Sequence, residues 1–250
     1  MPSLNRSKSR AFPLSILVAA FLLSFEATGV VGQTISNNAT FVNQLYLDLL
    51  DRQADAGGLN FWTGQLNAGA LSRTQVATAF FTSREFSVGG LYIVKPYASL
   101  LNRPPDPTGW VFWTSVLHLG VPQTAVLNSF LASQEFQSTY GNLSNSAFVN
   151  LIYQNALGRN PDQAGNDFWL GLLNSGQVTR AQLVDSFIQS PEYNNRILPQ
   201  AYATLLYLGF LRRTPDAAGL VYWTGIIGQP NGLAAAISAF INSPEYLGRF

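Results

Sequence analysis

The chain repeats itself four times, and that periodicity limits the fold more than any other property of its 250 residues. The string Leu49-Leu50-Asp51-Arg52-Gln53-Ala54-Asp55 returns as Leu100-Leu101-Asn102-Arg103-Pro104-Pro105-Asp106, as Ala156-Leu157-Gly158-Arg159-Asn160-Pro161-Asp162 and as Leu211-Arg212-Arg213-Thr214-Pro215-Asp216. Three residues past each Asp stands a Gly (Gly58, Gly109, Gly165, Gly219). Four past that Gly stands a Trp (Trp62, Trp113, Trp169, Trp223), always preceded by Phe or Tyr. Every copy closes on Ser-x-Glu-aromatic, which places Glu85, Glu135, Glu192 and Glu245. The units take up 41–90, 91–146, 147–200 and 201–250. One supersecondary unit stacked on its neighbours is the fold such a sequence calls for, with no stretch left over for a separate catalytic domain.

Within a unit the apolar residues keep helical spacing. Phe41, Val42, Leu45 and Leu49 lie three to four apart, a single stripe on a helix that ends at Arg52. Asp55 then stands where an N-cap belongs, as do Asp106, Asp162 and Asp216, and Pro107 suits the first helical position after its cap. The second helix of the unit stops at Gly69, with Gly120 and Gly176 as counterparts. Ser72-x-x-Gln75 and Thr179-x-x-Gln182 have capping-box form and open a third helix, whereas the second unit has Val121-Pro122 there. Ser190-Pro191-Glu192 and Ser243-Pro244-Glu245 start a short fourth, with Ser as the cap and Glu at the positive end of the dipole. The expected fold is therefore all-α: tandem helical repeats of about three helices plus a short fourth, stacked into one array. The Gly slot is read as permitting close helix approach, and Arg52, Arg103, Arg159 and Arg213 as tying the loop to the Asp or Glu of their own unit.

Composition narrows the function. Only 11% of residues are charged and the formal net charge is +1, so no basic surface stands out to hold a nucleic acid backbone. With no Cys and one His, thiolate chemistry, zinc-finger spacings and any metal centre needing two imidazoles are excluded, and neither cofactor nor metal is expected. Caps and loop ties occupy most of the carboxylates. Asp48, Asp51, Asp167 and Asp185 are left over, and a carboxylate enzyme would have to draw on them. Residues 1–32 have the order of a signal peptide: Arg6, Lys8 and Arg10, an apolar run from Phe12 to Phe25, then small residues to Gly32. The run is shorter than the ~20 residues a spanning helix needs, so cleavage, a linker at 33–40 and no stable membrane insertion afterwards are expected.

The motifs Phe-Val-x-x-Leu-Tyr-x-x-x-Leu, Arg-x-x-Asp-x-x-Gly, aromatic-Trp and Ser-x-Glu-aromatic together resemble the bacterial domain-of-unknown-function 4214 family, which is itself similar to the helical linker polypeptides of phycobilisomes. The resemblance covers nearly all of the chain past residue 40. It implies a secreted or surface-associated protein with no established activity.

The adjacent aromatics (Phe61-Trp62, Phe112-Trp113, Phe168-Trp169, Tyr222-Trp223) point about 100° apart on a helix. If both are buried, the second helix of each unit has protein on two sides and is the central one. Trp110 replaces the Leu found at positions 59 and 220, and it is the candidate exposed binding residue. His118 sits where a cation suits a helix C-terminus. The functional expectation is a non-enzymatic scaffold, linker or adhesion module, secreted, periplasmic or on the cell surface, whose partner is a protein or an extracellular polysaccharide. The second reading is a carbohydrate-binding module with Tyr and Trp lining grooves between units. A glycan-active enzyme using Asp167 or Asp185 is the third.

Overall fold

The computed structural model describes residues 37–250, and the proposed leader lies outside them. All regular elements among these residues are helical. The first repeat comprises α1 (Asn38–Leu50), α2 (Ala56–Asn67), α3 (Arg73–Phe81) and α4 (Arg84–Phe86). The second comprises α5 (Tyr92–Leu101), α6 (Pro107–His118), α7 (Gln123–Leu131) and α8 (Gln134–Tyr140). In the third, α9 (Asn145–Ile152), α10 (Gln163–Asn174) and α11 (Arg180–Gln189) are followed by α12 (Pro191–Leu211), which runs on into the fourth repeat and supplies its first helix; α13 (Ala217–Ile227), α14 (Gly232–Ile241) and α15 (Pro244–Leu247) complete the array.

The caps lie where the sequence puts them. Asp55, Asp106, Asp162 and Asp216 accept from the amides of Gly58, Gly109, Gly165 and Gly219 at 2.7–2.8 Å. Ser72 with Gln75 and Thr179 with Gln182 form complete capping boxes, while Pro122 opens α7 with no side-chain cap. Gly69, Gly120 and Gly176 all take positive φ where the second helices stop. The first helix starts earlier than expected, at Asn38 with Asn37 as its cap, so the end of the supposed linker is helical.

Two features were not legible from spacing. The short fourth helix stays separate only in the second and fourth repeats. In the first, π-helical turns at Ser87–Leu91 join α4 to α5, and in the third the Ser190 cap opens α12 directly. The array also closes. α3 packs on α14, so the first repeat meets the fourth, and α7 packs on α11, so the second meets the third. Tyr92 of α5 reaches Asp185 in the third repeat, while Tyr202, in the matching position of α12, packs on Phe81 in the first. These paired contacts follow a twofold pattern that exchanges repeats one and two with three and four.

The central helices are α5 and α12, which pack on each other and bury nearly every residue from Leu91 to Tyr97 and from Ala203 to Phe210. This corrects the expectation for the aromatic-Trp helices. α2, α6, α10 and α13 lie at the periphery, because only one ring of each adjacent pair is turned inward.

Candidate functional site

Each repeat builds the same stack of side chains, starting from a Tyr on its first helix or, in the third repeat, on the π-helical turns Tyr153–Leu157 that continue α9. Tyr46, Tyr97, Tyr153 and Tyr207 stand six residues before the signature Arg. The chain turns sharply between them through a left-handed residue (Asp51, Asn102, Gly158, Arg212), and the Arg amide reaches back to the Tyr carbonyl at 3.3–3.5 Å. That turn folds each guanidinium over the Tyr ring at 4.7–5.2 Å from its centre.

Each guanidinium then grips the Glu of its own unit with two parallel bonds. Arg52 Nε and Nη2 meet Glu85 at 2.5 and 2.9 Å, and Arg103 meets Glu135 at 2.6 and 2.8 Å. Arg159–Glu192 and Arg213–Glu245 repeat the arrangement. Arg52, Arg103 and Arg213 also lie 3.7–3.9 Å from the capping Asp three residues on. The paired Arg holds all four glutamates below the usual carboxylate range. Burial, helped by the charge of Asp106, pushes Tyr97 up to about 12.

The Gly slot has a specific occupant. A Cβ at Gly58, Gly109, Gly165 or Gly219 would collide with the hydroxyl of Tyr46, Tyr97, Tyr153 or Tyr207. The close approach read from the sequence is therefore that of a Tyr hydroxyl to the start of the next helix. Its signal was the fixed spacing Tyr-x5-Arg-x2-Asp-x2-Gly, which needs all four copies side by side to be seen.

On the other side of the stack, each Tyr meets a Phe of the third helix (Phe80, Phe130, Phe187, Phe240) at 4.9–5.1 Å. The same Phe carries the signature Trp at 5.1–5.6 Å. Trp62, Trp169 and Trp223 are half-buried against the core and Trp113 is buried. Phe61, Phe112, Phe168 and Tyr222 rest edge-on against these indoles and face solvent, 57–59% exposed.

Trp110 is not a surface contact. It is 3% exposed, and its indole N–H donates to the Gly90 carbonyl at 3.0 Å inside the junction of repeats one and two. A Cβ at Gly90 would press on the indole, and one at Gly89 would press on His118, which ends α6.

The four leftover aspartates go to four places. Asp48 binds Arg212 and Arg249, Asp51 accepts from Ser115, Asp167 from Gln163, and Asp185 from Tyr92 and Gln189. They do not converge. Among the described residues no cluster of His, Cys, Asp and Glu has the makeup of a metal site, and no helix is long and apolar enough to cross a membrane. The signature side chains thus face one another, and what every repeat presents outward is one aromatic ring.

No curated protein matches the chain. A family of unknown function, DUF4214, matches residues 18–89, 90–138, 127–197 and 193–250, its first segment beginning inside the stretch read as a leader. With four tandem matches spanning nearly the whole sequence, the chain belongs to the DUF4214 family.

Proposed function

We propose that this chain is an exported, non-enzymatic adhesion or scaffold module that binds through a surface element repeated in every unit rather than through one pocket. The observation that carries the reading is the set of four equivalent rings, Phe61, Phe112, Phe168 and Tyr222, each held out to solvent at 57–59% exposure. A large apolar side chain exposed once is ordinary. The same slot exposed in all four copies is a patterned surface, and that recurrence is what supports a binding role. Export rests on Arg6, Lys8 and Arg10 ahead of an apolar run. The partner is a protein or an extracellular polysaccharide.

The test is retention of the labelled, purified chain on cells or envelopes of the source organism. Retention that is lost when all four rings are changed to Ala supports the reading. Retention that is unchanged in that variant overturns it.

A further inference from the structure

The surroundings of the four rings say what they would hold. A helical side chain leans toward the N-terminus, so the residue three or four places on covers the ring before it. Three places on from the rings stand Gly64, Ser115, Gly171 and Gly225. A Cβ added at Gly64, Gly171 or Gly225 would meet nothing within 4 Å, so packing does not ask for glycine there. Helix formation opposes it, since Gly is the least favourable residue inside a helix after Pro. Four places before the rings the residues are small again: Gly57, Thr108, Ala164 and Ala218. Four places on stand larger residues, Gln65, Val116, Leu172 and Ile226, all partly buried, so the low ground beside each ring lies on its N-terminal side and over the small residue three places on.

The rings are also fixed and uncharged in setting. Ring centres lie 4.9–5.1 Å from the adjoining indoles, so a ligand has little freedom left to remove. Past the aspartates that cap them, the helices α2, α6, α10 and α13 carry between them a single carboxylate, Asp167, and a single imidazole, His118. Such a surface complements an uncharged ligand. Size decides between kinds of ligand. None of the four helices packs extensively on another, so the rings are separate platforms, each offering on the order of 100 Å². A stable protein partner needs about 800 Å² of continuous surface from each side. A polymer that presents the same small apolar face again and again can use platforms of this size one at a time, and gains from engaging several.

Resting on the binding role proposed for the rings, we propose further that Phe61, Phe112, Phe168 and Tyr222 are stacking platforms for an uncharged polysaccharide, each taking the C–H face of one sugar ring.

The experiment is native affinity electrophoresis of the full chain in gels containing hydroxyethylcellulose, dextran or galactomannan, with anionic alginate as the contrast. Tryptophan emission is read in parallel, because each platform touches an indole. At least one neutral polymer is expected to retard the chain and shift its emission. A single change such as Phe168→Ala should weaken retardation severalfold, and changing all four rings to Ala should abolish it with the melting temperature nearly unchanged. Gly64→Ala, Gly171→Ala and Gly225→Ala together should raise the melting temperature while weakening retardation, an opposition that a purely structural role for these glycines would not produce. Three results overturn the proposal: no neutral polymer retards the chain, alginate alone does, or the glycine variants bind as tightly as the parent. If those results accompany ring-dependent retention on cells, the adhesion reading stands and the ligand is a protein or a charged polymer. If retention on cells ignores the rings as well, both readings fall.

Discussion

Asp48 and Arg249 stand 201 positions apart in the chain and 3.0 Å apart in space. Arg212 joins them at 2.9 Å, and the carboxylate between the two guanidiniums is wholly buried. Arg249 also donates to the Phe210 carbonyl at the end of α12. The cluster fastens the first repeat to the last. In the slot of Asp48 the other repeats carry Ser99, Asn155 and Gly209, and in the slot of Arg212 they carry Asp51, Asn102 and Gly158. The ion pair is therefore a single device added on top of the repeat.

Removing its carboxylate leaves two guanidiniums facing an uncharged, buried atom. Asp48→Asn keeps the shape and loses the charge, and should cost about 3–5 kcal/mol, the range for breaking a buried pair from one side. Urea unfolding of the single variant checks this, and a loss below about 1 kcal/mol would show that water enters the closure and screens it.

The four Arg–Glu forks should contribute unequally. Arg103→Ala should lower stability by about 1–2 kcal/mol, toward the low side of the range for charge-assisted bonds because water reaches a third of the pair. Arg159→Ala should cost less, since Arg159 and Glu192 are the more exposed pair. Arg103→Lys should not rescue the loss, because an ammonium can neither form the two-point contact nor lie flat on Tyr97 in the same way. Equilibrium denaturation of the three variants gives the order directly.

Acid should act through the same forks. Glu85 and Glu135 titrate below the ordinary value because of their Arg partners, and Asp55 and Asp216 because of the amides they cap. A carboxylate depressed in the folded state stabilises above its unfolded pKa, and that contribution fades as pH falls through the folded one. Stability should hold from neutral pH to about pH 5 and then drop through the window below about pH 4. The E85Q/E135Q pair of changes should flatten that drop, as measured by urea midpoints from neutral pH down to about pH 2.

Two residues of α6 separate packing from display. Trp110→Ala should cost about 3–5 kcal/mol, because it empties the space against Gly90 and orphans its carbonyl. Phe112→Ala, two residues on, should stay within about 0.5 kcal/mol of the parent, as a surface change does. Thermal melts of both variants side by side decide it, and similar losses would mean that Phe112 is held in the core.

Gly109 and Tyr97 should prove coupled. Gly109→Ala drives a methyl group into the Tyr97 hydroxyl and should lose about 1–3 kcal/mol. In a Tyr97→Phe background the obstacle is gone, so the same change should cost clearly less. A double-mutant cycle reads the difference.

Much of the repeat could be read directly because its parts are local. A cap, a Pro at the first turn or an Arg facing a Glu a fixed distance on is specified by the sequence pattern of its own unit, and the Asp cap and the Arg–Glu pair recur in all four copies. The outward ring was not legible for a geometric reason. Phe61 and Trp62 are adjacent, and helical periodicity says that they point different ways without saying which way the rest of the protein lies. Trp110 misled because it departs from the pattern, and a departure looked like a surface specialisation. Its partner, Gly90, departs from the pattern too, and the two exceptions fit each other across the junction of repeats. Closure was hidden for the same reason: Asp48 and Arg212 are odd members of their slots, Arg249 shares its slot with Arg196, which bonds the Ala156 carbonyl as Arg249 bonds that of Phe210, and only folding adds the buried carboxylate to one of the two.

That closure sets a rule for how such a chain can grow. An open stack of helical units lengthens by duplication, since the last unit always offers a free face to the next. Here α3 and α14 already use those faces on each other, so a fifth copy inserted into the gene would find no docking place without prising the first and fourth apart. The molecule counts to four, and descendants of it should vary what their rings display more readily than how many they have.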